Sequence, residues 1–152
     1  REGSAGNRQW LEGYFQLPYS MRPTLTERMP KLFMSDQEIK MTADYFQGAL
    51  REDSMDSIRV DLQPALVAEG KRLFFDLYGC QGCHQVGGKG GYVGPPLDRS
   101  GNRLTSGWVY RWLKNPQQYV PQTVEPNNGL KEDELQALTA FVVSLKQEGS
   151  QR

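Results

Sequence analysis

The chain has no excess of charge: 18 Lys and Arg balance 18 Asp and Glu over 152 residues. Nucleic-acid and anionic-membrane binders usually carry a basic excess or stripe, so neither class fits. It also lacks a long apolar run. The longest uncharged, mostly apolar stretch, Ala137 to Leu145, is far too short to cross a bilayer, and no transmembrane segment is expected. The hydrophobic fraction of 38% is lean, with 16 Gly and 9 Pro, yet 11% aromatic residues and regular helical patterns argue against disorder. There is no initiator Met, no basic-then-apolar leader and no lipidation cysteine at the start, which reads as a mature or trimmed chain that has shed its export signal.

Cysteine and histidine are nearly absent as well, and the few present sit together. Cys80 and Cys83 flank Gln81-Gly82, and the only histidine, His84, follows directly. A structural zinc site needs four ligands, and no second pair exists to complete one. A thioredoxin-like dithiol wants a βαβ context, and no β-branched run precedes Cys80. A plain disulfide leaves His84 without a role. The remaining reading is a single covalent c-type haem: two thiols three residues apart add to the haem vinyl groups, and the next residue offers its imidazole to the iron.

The surrounding residues carry two apolar stripes at helical spacing. Leu73, Phe74 and Leu77 precede the motif; Leu135, Leu138, Phe141, Val142 and Leu145 follow it, behind an acidic helix start at Glu132, Asp133 and Glu134. Both stripes predict core packing. Gly87-Gly88-Lys89-Gly90-Gly91 reads as too flexible for an element and is expected to be a loop.

Residues 64–148 resemble a class I cytochrome c domain. Ala68 to Phe75 resembles its amino-terminal helix, Tyr78-Gly79 the approach to the haem motif, and Gly94-Pro95-Pro96-Leu97 its Gly-Pro-x-Leu turn. Trp108 to Pro116 resembles the helix beside the haem edge, and Glu132 to Lys146 the carboxy-terminal helix that crosses the first. The resemblance implies an all-α fold, with three to five helices around one haem c held through Cys80 and Cys83. It implies His84 as the proximal ligand, with the Pro95 carbonyl accepting the imidazole N–H. It also places Arg103 and Trp112 near the haem propionates.

One position departs from the family. Its methionine ligand stands in a Pro-x-Thr-x-Met-Pro-Asn segment, and this chain has Pro121-Gln122-Thr123-Val124-Glu125-Pro126-Asn127. A thioether favours ferrous iron and a carboxylate ferric iron, so Glu125 or water at that place would lower the potential.

Residues 8–50 repeat the pattern of 106–148. Trp10 aligns with Trp108, Pro18 with Pro116 and Pro23 with Pro121; after two extra residues, Pro30 aligns with Pro126, Glu38 with Glu134, Ile39 with Leu135 and Tyr45 with Phe141. In that register Met29 falls opposite Glu125, and Ser35 with Glu38 has capping-box spacing. The expected organisation is a helical half-repeat without its own haem motif at 1–50, a polar linker at 51–63, a monohaem domain at 64–148 and a tail at 149–152. Met29 either serves a haem attached outside this chain or is lent to the iron held by His84, and the second is preferred. Phe15, Leu17, Leu32, Phe33, Tyr45 and Phe46 are expected to pack against the haem domain or a second copy, with domain swapping as one route to a homodimer.

The expected function is one-electron transfer between redox protein partners, with no catalytic residue, in a periplasmic or other exported space. A docking subunit wired into a larger membrane-associated complex is a variant of the same reading. The alternative is a haem enzyme or gas-binding module with an open or carboxylate-bound sixth position.

Overall fold

The computed structural model describes residues 2–21 and 29–147; Pro23, Arg28 and the tail 149–152 lie outside them. Among the described residues the fold is all-α apart from one small hairpin and an isolated bridge between Gly6 and Leu104. Its helices are α1 (Glu2–Ala5), α2 (Arg8–Gln16), α3 (Asp36–Ala49), α4 (Asp53–Asp56), α5 (Pro64–Arg72), α6 (Ser100–Arg103), α7 (Ser106–Lys114) and α8 (Glu132–Ser144).

α5 opens with Pro64 in its first turn, where the missing N–H costs nothing. It runs on into a π-helical turn, Leu73–Leu77, and the chain reverses at Gly79 with φ +63°. α8 begins where the Lys131 backbone N–H donates to Glu134 Oε2 at 2.8 Å. α5 and α8 cross at Gly70, which is buried; a Cβ there would overlap the Ala137 carbonyl oxygen. The two predicted stripes meet at this crossing, except for Leu77, which ends the π-helical turn and is exposed rather than in the core. Leu73, Phe74, Leu138 and Phe141 form the main core with Leu97 and Val109, and the rings of Phe74 and Phe141 lie 5.3 Å apart. α7 is capped by Thr105, whose hydroxyl accepts from the Trp108 N–H at 3.3 Å.

The glycine run is not the featureless loop expected. Gln85–Val86 (β1) pairs antiparallel with Lys89–Gly90 (β2), and Gly87 and Gly88 turn the corner at φ +63° and +72°. Two consecutive positive φ values are what a tight hairpin turn requires, and glycine supplies them without strain.

A second core lies in the amino-terminal unit, where Leu11 and Phe15 of α2 meet Ile39 of α3, with Trp10, Met29, Met34 and Phe46 around them. The capping box expected at Ser35 is formed: its hydroxyl accepts from the Glu38 N–H, and Glu38 accepts from the Ser35 N–H at 2.7 Å. Of the six apolar residues expected to pack against the haem domain or a second copy, Phe15 and Phe46 instead pack on each other at 5.5 Å within the unit. Leu17, Leu32, Phe33 and Tyr45 are exposed.

The unit is joined to the rest by backbone. Asn7 N–H donates to Arg103 O at 2.8 Å and Thr105 N–H to Ala5 O at 3.0 Å, on either side of a bridge between Gly6 and Leu104. The Asn7 side-chain amide reaches the carbonyls of Gly101, Asn102 and Leu104 at 3.2, 2.9 and 3.2 Å. The segment 51–63 is not a free polar tether. α4 buries Met55 to 1% exposure, the Met55 backbone packs on Gly107 of α7, and the Glu52 N–H donates to Ser4 Oγ at 2.7 Å. Arg51, Asp53, Arg59 and Asp61 are exposed, while the buried Met55 anchors the strap.

Candidate functional site

The attachment motif is built on a single tight turn. Cys80–Gly82 forms a 3-10 turn directly after Gly79, and the N–H groups of Cys83 and His84 both donate to Cys80 O, at 3.1 and 3.0 Å. The following loop closes back over it: Gly91 N–H donates to Gln81 O and Gly94 N–H to Cys83 O, each at 2.9 Å. Glycine is needed at Gly94, because a Cβ would overlap the His84 ring. Both cysteines are free thiols, Cys80 half-buried and Cys83 exposed. Burial, assisted by the negative charge of Glu125, pushes the Cys80 thiol up to about 11.

The imidazole of His84 is held by both nitrogens. Nδ1 lies 2.8 Å from Pro95 O and donates to it, since a carbonyl can only accept. Nε2 lies 3.3 Å from Glu125 Oε2. Burial lowers the His84 pKa, but the hydrogen bonds to Glu125 and Pro95 outweigh it and the net direction is upward, with the nearby charge of Arg103 opposing. Glu125 is held through its main chain: its N–H donates to Thr123 Oγ1 at 3.2 Å, and its carbonyl accepts from Gln117 Nε2 at 2.7 Å. Sequence reasoning passed over Gly94, Gln117 and Thr123 as supports. Thr123 was visible in the Pro-x-Thr register; nothing in the sequence marked Gln117.

The residues present suit a flat apolar cofactor. Leu77, Tyr92, Val93, Val120 and Val124 are large apolar side chains left exposed, and all five lie in the segments that carry Cys80, His84 and Glu125. Trp112 is half-buried and tilts against Trp108 at 5.7 Å between ring centres. Arg103 borders a cleft shared with Tyr19, Met21, Pro96 and Arg99. Met29 is placed elsewhere, against the Leu11–Phe15–Ile39 cluster of the amino-terminal unit.

The cytochrome c family model matches residues 67–146. Cytochrome c oxidase subunit 2 of Alkalihalophilus pseudofirmus (strain ATCC BAA-2126 / JCM 17055 / OF4) is 30% identical over 118 residues, covering 68% of this chain and 34% of that protein. The chain thus spans about a third of the length of that relative. No solved structure matches the chain. With the family's model covering more than half of the residues, and with paired thiols and a carbonyl-bound imidazole at its centre, the chain belongs to the cytochrome c family, whose domain carries covalent haem c and supports electron transfer.

Proposed function

We propose that this chain is a one-electron carrier with a single haem c held at Cys80, Cys83 and His84. The observation that carries the reading is the His84–Pro95 contact. An imidazole fixed through Nδ1 leaves Nε2 as the nitrogen that meets a metal, and it stands next to two thiols at attachment spacing. Haem supplies a ferric/ferrous couple that cycles without moving heavy atoms far. The protein's part is to anchor the group at Cys80 and Cys83, orient His84 and keep water off one face with the apolar residues around the motif. Arg103 and Trp112 are suited to the propionate edge.

The partners we infer are redox proteins met through small, short-lived contacts. A respiratory setting is supported by the similarity to an oxidase subunit 2, and an extracytoplasmic location by the family's attachment chemistry. We also infer that residues 2–50 are a second copy of the domain's back half. α1, α2 and α3 have 4, 9 and 14 residues against 4, 9 and 13 in α6, α7 and α8. Ser35 and Lys131 each take a third-position Glu onto the cap N–H, and Gly3 and Gly101 each donate to a carbonyl beyond the long helix. The reciprocal bonds at Asn7 and Thr105, both helix N-caps, fit the same relation.

A spectroelectrochemical titration of the haem-loaded chain tests the carrier reading. A single, reversible one-electron step is expected. A covalent haem that cannot be cycled, or that turns over peroxide while being consumed, would favour the enzyme alternative.

A further inference from the structure

The geometry points to Glu125 as a second protein ligand for a ferric haem iron that His84 would hold, a carboxylate where the family carries a methionine. This rests on the haem reading above and goes one residue further.

Three observations converge. The carboxylate is aimed at the ligating atom: Oε2 is 3.3 Å from Nε2, the ring nitrogen that Pro95 leaves unused. It is held there by a built loop, with Thr123 bonded to the Glu125 N–H and Gln117 to its carbonyl. It is also largely withdrawn from water, the Glu125 side chain being 23% exposed and that of His84 15%.

The chemistry of the pair then selects a cation. The lone pair of a ligating Nε2 and a carboxylate oxygen are both electron-rich, and in a half-buried place their pairing is costly unless a positive centre stands between them. A haem iron held by His84 would be that centre.

All five methionines precede Cys80 in the chain. Met29 and Met34 pack on the amino-terminal cluster, Met55 is buried at α7, Met41 is exposed on α3 and Met21 lines the cleft near Arg103.

The test is ferric electron paramagnetic resonance with near-infrared absorption on the full haem-loaded chain and on Glu125→Gln and Glu125→Met. The wild type is expected to lack the thioether-to-iron band. Glu125→Gln is expected to shift the ferric signal to that of a water-bound haem, and Glu125→Met to gain the thioether band and a more positive midpoint potential. A thioether band in the wild type overturns the assignment, as does a ferric signal unchanged in Glu125→Gln. Pyridine haemochrome analysis of the same samples separates the two levels. Attached haem with an unchanged signal removes Glu125 alone, whereas no attached haem removes the carrier reading with it.

Discussion

Gly70 of α5 lies so close to Ala137 of α8 that a single added carbon would run into the Ala137 carbonyl oxygen. The helix crossing is therefore a backbone contact, and it sets the position of the whole attachment segment that follows α5. In an open helix Gly→Ala stabilises by about 1 kcal/mol. Here Gly70→Ala is expected to destabilise by about 1–3 kcal/mol, the usual cost of overpacking. The check is thermal unfolding of the haem-loaded chain, where a raised Tm would contradict the crossing.

Gly94 does the same for the imidazole. Its Cβ position is filled by the His84 ring. Gly94→Ala is expected to push the ring off Pro95 O, weakening the bond that fixes its orientation. The expected readout is a changed ferric spectrum, or reduced haem incorporation, at unchanged helix content. A wild-type spectrum would mean that the turn yields freely.

The site was legible in the sequence wherever chemistry is carried by rare residues. Cys80, Cys83 and His84 announce themselves by spacing, and the Ser35–Glu38 cap by its local pattern. The crossing helices were legible because apolar periodicity survives in both. What the sequence hid is made of backbone. The hairpin at Gln85–Gly90 depends on two positive φ values. The π-helical turn at Leu73–Leu77 looks like ordinary helix, and the joint at Asn7 and Thr105 combines main-chain bonds with an Asn7 amide whose three carbonyl partners lie 94 or more residues away. Met29 carries two signals at once: a motif-like neighbourhood that suits a ligand, and an apolar cluster against which its side chain packs.

Asn7 offers a direct probe of the joint. Its amide serves three carbonyls of the 101–104 segment. Asn7→Ala is expected to cost about 1–3 kcal/mol, since those bonds are lost and partly buried carbonyls are left without donors. Hydrogen exchange should then speed up at the Asn7 and Thr105 amides ahead of the α5–α8 core. Uniform protection throughout would mean that the two units hold together without this side chain.

Tyr110 predicts an alkaline limb of stability. Its hydroxyl donates to Glu132 Oε2 at 2.6 Å, and burial followed by that bond pushes its pKa up to about 12. The folded value lies above the ordinary tyrosine value of 10.0, so this contribution is full below about pH 10 and fades as pH rises towards 12. Glu132 is lowered chiefly by the same bond, so its share is present above the usual carboxylate value and fades as pH falls. Tyr110→Phe is expected to flatten the alkaline limb in urea titrations between pH 9 and 12. An alkaline limb as steep as in the wild type would contradict it.

The central claim is one haem, covalently fixed at Cys80 and Cys83 and bound through His84. The most direct test is the intact mass of the denatured chain, matured in a cell able to attach c-type haem. A mass equal to the polypeptide plus one haem is predicted, reduced to the bare polypeptide when both cysteines are replaced by alanine. The bare mass in the unaltered chain would contradict the account.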